Sequence, residues 1–253
     1  MTTLNKINTP GVVASYLQSQ SSRRSYWKLR WKPVCASTEI ELSRWLAGQP
    51  CLGNYPRAII AARQKHGKGQ RGRYWQSPLG GVWVSAALPD FREQQSIGLF
   101  GLAIALSFSE RLERMHIPVK IKWPNDLMVC EKKLAGFLPR LIYRGGTLRL
   151  ACIGVGMNVF NSVPAGGIAL SQILKPVQCS LAFWTAEVLL ALERAVELTN
   201  ENNSLCFQVE KRLWANEVID SKTGKKWLVD GLDKKGALKL SRQGEQIIWS
   251  RWD

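Results

Sequence analysis

Three glycines, Gly67, Gly69 and Gly72, alternate with the cations Lys68, Arg71 and Arg73 in the stretch Gln64-Lys65-His66-Gly67-Lys68-Gly69-Gln70-Arg71-Gly72-Arg73-Tyr74-Trp75. Glycine lets backbone approach a ligand closely, and the cations supply positive charge, so the chemistry on offer is the holding of a phosphate-bearing anion. The stretch is no Walker A loop, because no Gly-Lys-Ser/Thr follows at the required spacing. It is no dinucleotide fingerprint either, since Tyr74-Trp75 and the turn at Pro78 follow where a helix should begin. Taken alone, a solvated basic loop accounts for these residues equally well.

Two further segments carry residues of the same kind. Lys122-Trp123-Pro124-Asn125-Asp126-Leu127 is followed by Lys132-Lys133-Leu134-Ala135-Gly136-Phe137-Leu138, and later comes Ile153-Gly154-Val155-Gly156-Met157-Asn158-Val159. In this order and at these separations the segments resemble those of the biotin–protein ligases, over about residues 33 to 253. The resemblance implies an enzyme that joins the carboxylate of biotin to ATP, giving biotinyl-adenylate and pyrophosphate. It then passes biotin to a lysine of a biotin carboxyl carrier protein.

By the same resemblance, Lys133 bridges the biotin carboxylate and the α-phosphate, with Lys68, Arg71 and Arg73 completing the catalytic set. Biotin is expected against Ser37, Thr38, Gln64, Gly67 and Trp83, and beside Gly136, Leu138, Gly154 and Gly156. ATP is expected at Gly69, Gln70, Gly72 and Trp75, with Lys122, Asn125 and Asn158. Asp126 is the expected Mg²⁺ contact, direct or through water, although Asn125 and Asp126 equally suit capping of the turn after Pro124. Trp75, Trp83 and Leu138 serve a core equally well. Neither step needs a protein nucleophile, so cations and Mg²⁺ are expected to supply most of the stabilisation.

Some positions depart from the family's pattern. Glu39 stands where the family has Asn after Ser-Thr, and Arg140 where an acidic residue is more usual. Lys68 and Gln70 replace arginines, losing the guanidinium fork and a charge respectively; His66 replaces a smaller residue. Two other readings follow from the chain as written. A lipoate or octanoate transferase of the same architecture would carry an Arg-Arg-x-Ser-Gly-Gly-Gly type segment, which is absent. A nucleic-acid-binding protein would rest on net charge alone.

The elements that must position these residues are legible in part. Ser37 or Thr38 caps a helix running to about Gly48, with Glu41 in its first turn. Ala58 to Ala62 forms a short strand delivering the glycine stretch, and Val82 to Leu88 forms another. Ser96 to about Met115 reads as a buried helix. Strands are expected at Trp27–Cys35, Val119–Trp123, Leu127–Cys130, Lys133–Tyr143 and Leu148–Val155, and a long amphipathic helix at Leu181–Glu197. Without a regular βαβ alternation, the class is α+β: a mixed sheet with helices packed on it. Residues 1–26 read as a tail or peripheral helix, 27–204 as the catalytic domain, and 205–253 as a small SH3-like β-barrel domain. That last module has a hairpin at Trp227–Leu240 and a final strand at Gln246–Trp252. Ordering nine residues, Gly67 to Trp75, costs roughly 10 kcal/mol of backbone entropy, so a loop that closes only over bound ligand is expected.

With 35 Lys+Arg against 19 Asp+Glu, a formal charge of +16 favours acidic partners, but the excess gathers into no dense run. Six cysteines show no Cys-x-x-Cys, and neither His66 nor His116 lies near one, so reduced thiols and a cytoplasmic location are expected. No apolar run reaches the roughly 18 residues of a membrane span. A monomer or weak homodimer, without specific DNA binding, completes the expectation.

Overall fold

The computed structural model describes residues 9–20, 27–51, 55–89, 97–220 and 223–250. Most of the expected tail, the Ser96 start of the second helix and the Trp252 end of the last strand lie outside them. In chain order the strands are β1 (Lys28–Lys32), β2 (Arg57–Ala61), β3 (Gln64–Lys68), β4 (Tyr74–Ser77), β5 (Gly81–Leu88), β6 (Lys120–Lys122), β7 (Asp126–Val129), β8 (Lys132–Arg144) and β9 (Thr147–Asn158). Four more, β10 (Glu217–Ile219), β11 (Lys226–Leu232), β12 (Leu238–Arg242) and β13 (Glu245–Trp249), form the C-terminal module. The helices are α1 (Pro10–Gln20), α2 (Thr38–Gly48), α3 (Ile97–Glu113), α4 (Leu181–Leu198) and α5 (Asn202–Glu210).

Seven strands make one mixed sheet in the order β1-β2-β5-β9-β8-β7-β6, parallel at β1–β2 and antiparallel elsewhere. Because strand side chains alternate, each central strand feeds two different layers. Ala58, Ile60, Val84, Ala86, Ile153, Val155 and Phe137 face a core closed by α1, α3 and α4. Ile59, Ala87 and Cys152, one residue out of phase, pack beneath Leu42 and Trp45 of α2. Ser85, Gly154 and Gly136 share that second face, and the cleft opens beside α2. α3 is buried almost all round because it lies between the sheet, α4 and the C-terminal module, where a Cβ on Gly236 would meet Leu102 at 2.8 Å.

The C-terminal module is an antiparallel sheet in the order β10-β11-β12-β13, consistent with the SH3-like expectation, but no barrel is closed among the described residues. It is fastened to the larger sheet through the segment after α5. Ile121 N–H donates to Arg212 O (2.7 Å), Trp214 N–H donates to Ile121 O (2.9 Å), and the Trp123 indole donates to Gly236 O (2.9 Å). This pairing covers the β6 edge, which would otherwise expose unpaired backbone. The division drawn from sequence between 204 and 205 falls inside α5.

Candidate active site

Ser37 opens the site as the N-cap of α2, its hydroxyl accepting from Glu39 N–H at 3.3 Å. The next residue joins a buried polar cluster. Thr38 donates to Gln64 Oε1 from both its backbone N–H (2.7 Å) and its hydroxyl (3.0 Å). Gln64 Nε2 donates to Ser77 Oγ (2.8 Å), and the Thr38 and Ser85 hydroxyls lie 2.8 Å apart. With Thr38 donating to Gln64, Ser85 is the donor in the last pair. The cluster is nearly saturated internally, which is what burial of so many polar atoms requires.

Two residues along the sheet, toward β7, lies a charged end. Lys133 Nζ is 2.7 Å from Asp126 Oδ1 and 4.8 Å from the centre of the Trp75 ring. The Asp126 oxygen is buried without an aligned hydrogen bond, so the pair is a charge contact rather than a directed bond. The Lys133 backbone is fixed on both sides. Its N–H donates to Gly166 O (2.8 Å), and its carbonyl accepts from Ile168 N–H (3.0 Å) and from Asn158 Nδ2 (3.4 Å).

Between the two ends runs a cleft of about 150 Å³, floored by Gly136, Gly154 and Gly156. This is small beside typical ligand pockets of roughly 300–1,000 Å³. Trp75 is the reason: a Cβ at Gly156 would stand 2.5 Å from its indole nitrogen, and one at Gly136 3.0 Å from its ring. Gly154, by contrast, leaves room above it, its nearest neighbours being Leu138 Cβ at 3.5 Å and Ser85 Oγ at 3.9 Å.

Of the residues expected from sequence, Ser37, Thr38, Gln64, Lys68, Gly69, Gln70, Arg73 and Trp75 line the cleft, as do Asn125, Asp126, Lys133, Gly136, Leu138, Gly154 and Gly156. The glycine stretch that carries several of them is a β3–β4 hairpin, pairing Gly67 with Trp75 and Lys68 with Tyr74. Gly67 lies inside the hairpin against Trp75 O and Gln64, while Arg71 and Gly72 form its exposed tip, Arg71 at φ 55°.

Trp83 and Lys122 stand outside the cleft lining, Trp83 in the core role that suited it equally from sequence. Trp83 is fully buried, its indole donating to Pro78 O (2.8 Å) and its ring against Gly81. Lys122 points the other way along β6, its Nζ 4.7 Å from the Trp214 ring centre. Asn158 does not reach the cleft; buried, it accepts from Asn161 Nδ2 (3.0 Å) and steadies the Lys133 carbonyl. Asn125 lines the cleft and also donates to Phe137 O (2.5 Å) of β8.

Sequence reasoning did not single out Ser85, Tyr74 or the role of Glu39. The signal for Ser85 was a lone hydroxyl in the apolar run Val82–Leu88. Glu39 and Arg140, two departures from the family's pattern, turn out to be one ion pair. Glu39 Oε1 accepts from Arg140 Nε (2.9 Å) and Nη2 (2.6 Å), and Nη2 also reaches Ser43 Oγ (3.4 Å). The other carboxylate oxygen, Oε2, is sealed from solvent and has no partner.

Residues 51–158 match the model of the biotin/lipoate A/B protein ligase family. The chain is 27% identical over 215 residues to the human protein named biotin–protein ligase, covering 75% of this chain and 29% of that one. It is 30% identical over 209 residues to the bifunctional ligase/repressor BirA of Escherichia coli, covering 76% of this chain and 64% of that one. The chain thus spans less than two thirds of the length of these curated relatives. Among solved structures, biotin protein ligase from Aquifex aeolicus in complex with biotin and ATP superposes with a TM-score of 0.70 at 25% identity, covering 88% of this chain and 95% of that one. Biotin acetyl coenzyme A carboxylase synthetase from Helicobacter pylori, with bound biotinylated ATP, shares the fold at a TM-score of 0.61 and 19% identity.

Proposed function

We propose that this chain, whose residues 51–158 match the biotin/lipoate A/B protein ligase model, activates biotin with ATP and transfers it to a lysine of a biotin carboxyl carrier protein. In the first step a biotin carboxylate oxygen attacks the α-phosphorus, and pyrophosphate leaves. In the second the acceptor amine attacks the acyl carbon, and AMP leaves. Both steps pass through crowded negative charge, which fixed cations stabilise best in a cleft that excludes water.

The observation that carries the reading is the pairing of two unlike ends over one glycine floor. The hydroxyl-and-amide end at Thr38, Gln64 and Ser85 suits the polar ring of biotin. Leu138 suits its apolar chain. Lys133 then meets the carboxylate, with Lys68 and Arg73 of the hairpin on the phosphate side, and Arg71 reaching in only when the hairpin tip folds over the nucleotide. Trp75 moves off Gly156 to admit the adenylate and stacks against it.

Magnesium enters with ATP as part of the substrate. Asp126 is the residue assigned to it, as one carboxylate beside phosphate oxygens and water, the usual arrangement for this ion. No group of three His, Cys, Asp or Glu side chains gathers among the described residues. The acidic acceptor is drawn by a chain of net charge +16. Six free cysteines suit a reducing cytoplasm, and no described helix is long and apolar enough to cross a membrane. Residues 27–204 carry the cleft, and the C-terminal sheet is the proposed separate module.

ATP–pyrophosphate exchange tests the reading: it should depend on biotin and not on lipoate, and labelled biotin should appear on a carrier-domain lysine. Exchange driven by lipoate alone would point to a lipoate ligase instead.

A further inference from the structure

The polar end of the cleft holds a mismatch that the proposed reaction does not use. Thr38, Gln64, Ser77 and Ser85 bond to one another. Glu39 does not join them. Its Oε1 is occupied by the two Arg140 bonds, while Oε2 is buried, unpartnered, and 4.0 Å from where a Cβ on Gly154 would stand. A buried carboxylate oxygen without a donor is costly, so its place beside the open Gly154 floor marks where a donor belongs.

Arg140 shapes that oxygen's role. Its fork grips one carboxylate oxygen from the outer side, with its own side chain 44% exposed against 16% for Glu39. This fixes the Glu39 rotamer and leaves only the inner oxygen for a ligand. An ionised carboxylate offers no donor, so it accepts N–H groups and repels a carbonyl.

We propose that Glu39 is the specificity-determining acceptor for a ring N–H of the bound acid, with Arg140 as its positioning residue. The assignment rests on the reading of the cleft as a biotin site, where the urea ring presents two N–H donors. It defines the favoured ligand class as cyclic ureas and, more strongly, rings in which the urea oxygen is replaced by a protonated imino group. Such a guanidinium ring keeps the N–H donors and adds a positive charge beside the carboxylate.

Isothermal titration of the full chain with biotin and with its 2-imino analogue tests the assignment, using wild type, Glu39→Gln, Glu39→Asn, Arg140→Ala and the Arg140→Ala/Glu39→Gln double variant. Thermal melting first confirms that each is folded, and the two replacements at Glu39 guard against one that is not. Neutralising Glu39 should weaken the imino analogue relative to biotin by at least about tenfold, the scale of a hydrogen bond to a charged group. Arg140→Ala should reduce biotin affinity severalfold when Glu39 is present and have no further effect in Glu39→Gln, as expected of a residue acting through another. Biotin binding with an unchanged ratio of the two ligands would overturn the Glu39 assignment alone. Absence of both biotin binding and biotin-dependent pyrophosphate exchange in wild type would overturn the site reading and this inference with it.

Discussion

Lys133 is a lysine whose backbone is clamped before its side chain does anything. The loop at Gly166–Ile168 and Asn158 fix its peptide groups, and Asp126 and Trp75 bracket its ammonium. Replacing it with alanine removes the cation that the proposed reaction places between two anions. We expect biotin-dependent exchange to fall by about two orders of magnitude or more. The fold should remain intact, with only a modest drop in melting temperature as the buried Asp126 oxygen loses its charge partner. The glycines divide by the same kind of reasoning. Gly156→Ala puts a methyl 2.5 Å from the Trp75 indole nitrogen, an aromatic at the cleft wall that can yield. It should raise the KM for biotin with little loss of stability. Gly81→Ala puts one 2.2 Å from the ring of fully buried Trp83, which cannot yield. That variant should lose about 1–3 kcal/mol in urea unfolding, as overpacked cores do.

At the level of elements, the β3–β4 hairpin is the part we expect to move. It is a two-stranded sheet apart from the main one, and such a pair is only marginally stable on its own. Its base is tied down, since Lys65 N–H donates to Cys35 O (2.9 Å) and Gln64 to Ser77. Its tip at Gln70–Gly72 touches nothing comparable. Limited trypsin digestion should therefore cut after Lys68, Arg71 or Arg73 in the free protein, and biotin with Mg-ATP should slow that cleavage severalfold. Equal rates with and without ligand would show that the hairpin does not close. The hairpin was not legible as such. Its alternation of glycine and cation has no apolar period, so the sequence marked a ligand-holding loop without revealing that its arms pair. The α1 helix was only partly legible for a related reason, a weak apolar stripe, and α5 was not read at all, although its Leu205, Cys206 and Val209 join the core.

Across the whole molecule, the thiols report how well the layers are sealed. Burial pushes Cys152, under α2, up to about 12. Burial followed by the nearby Glu41 raises Cys35 to about 11, and burial with Glu210 and Asp233 raises Cys206 to about 11. A folded-state pKa above the unfolded value, near 9, means that the unfolded chain gives up its proton first as pH rises. Their contribution is therefore intact below pH 9 and drains away toward pH 11–12. For Cys152, which is sealed from solvent, the loss between pH 9 and 10 should be about 1 kcal/mol. Urea midpoints of wild type against Cys152→Ala across that range would reveal it as a shallower decline in the variant. Lowering the pH from 8 to 7 should leave the difference unchanged.

What the amino-acid order determined alone was the set of local periods and chemical types. Apolar alternation in Val82–Leu88 and Leu148–Val155 made strands, and Ser37 made a cap. These follow from neighbours a few residues apart, where backbone geometry leaves little choice. Only the tertiary structure decided which motif residues meet. Sheet register set Gly136 beside Gly156 and Leu138 beside Gly154, sent Trp83 into the core, and turned Lys122 toward Trp214. It also joined Glu39 to Arg140 across 101 positions of sequence, a contact no local period encodes because it exists only once α2 and β8 lie on the same face of the sheet.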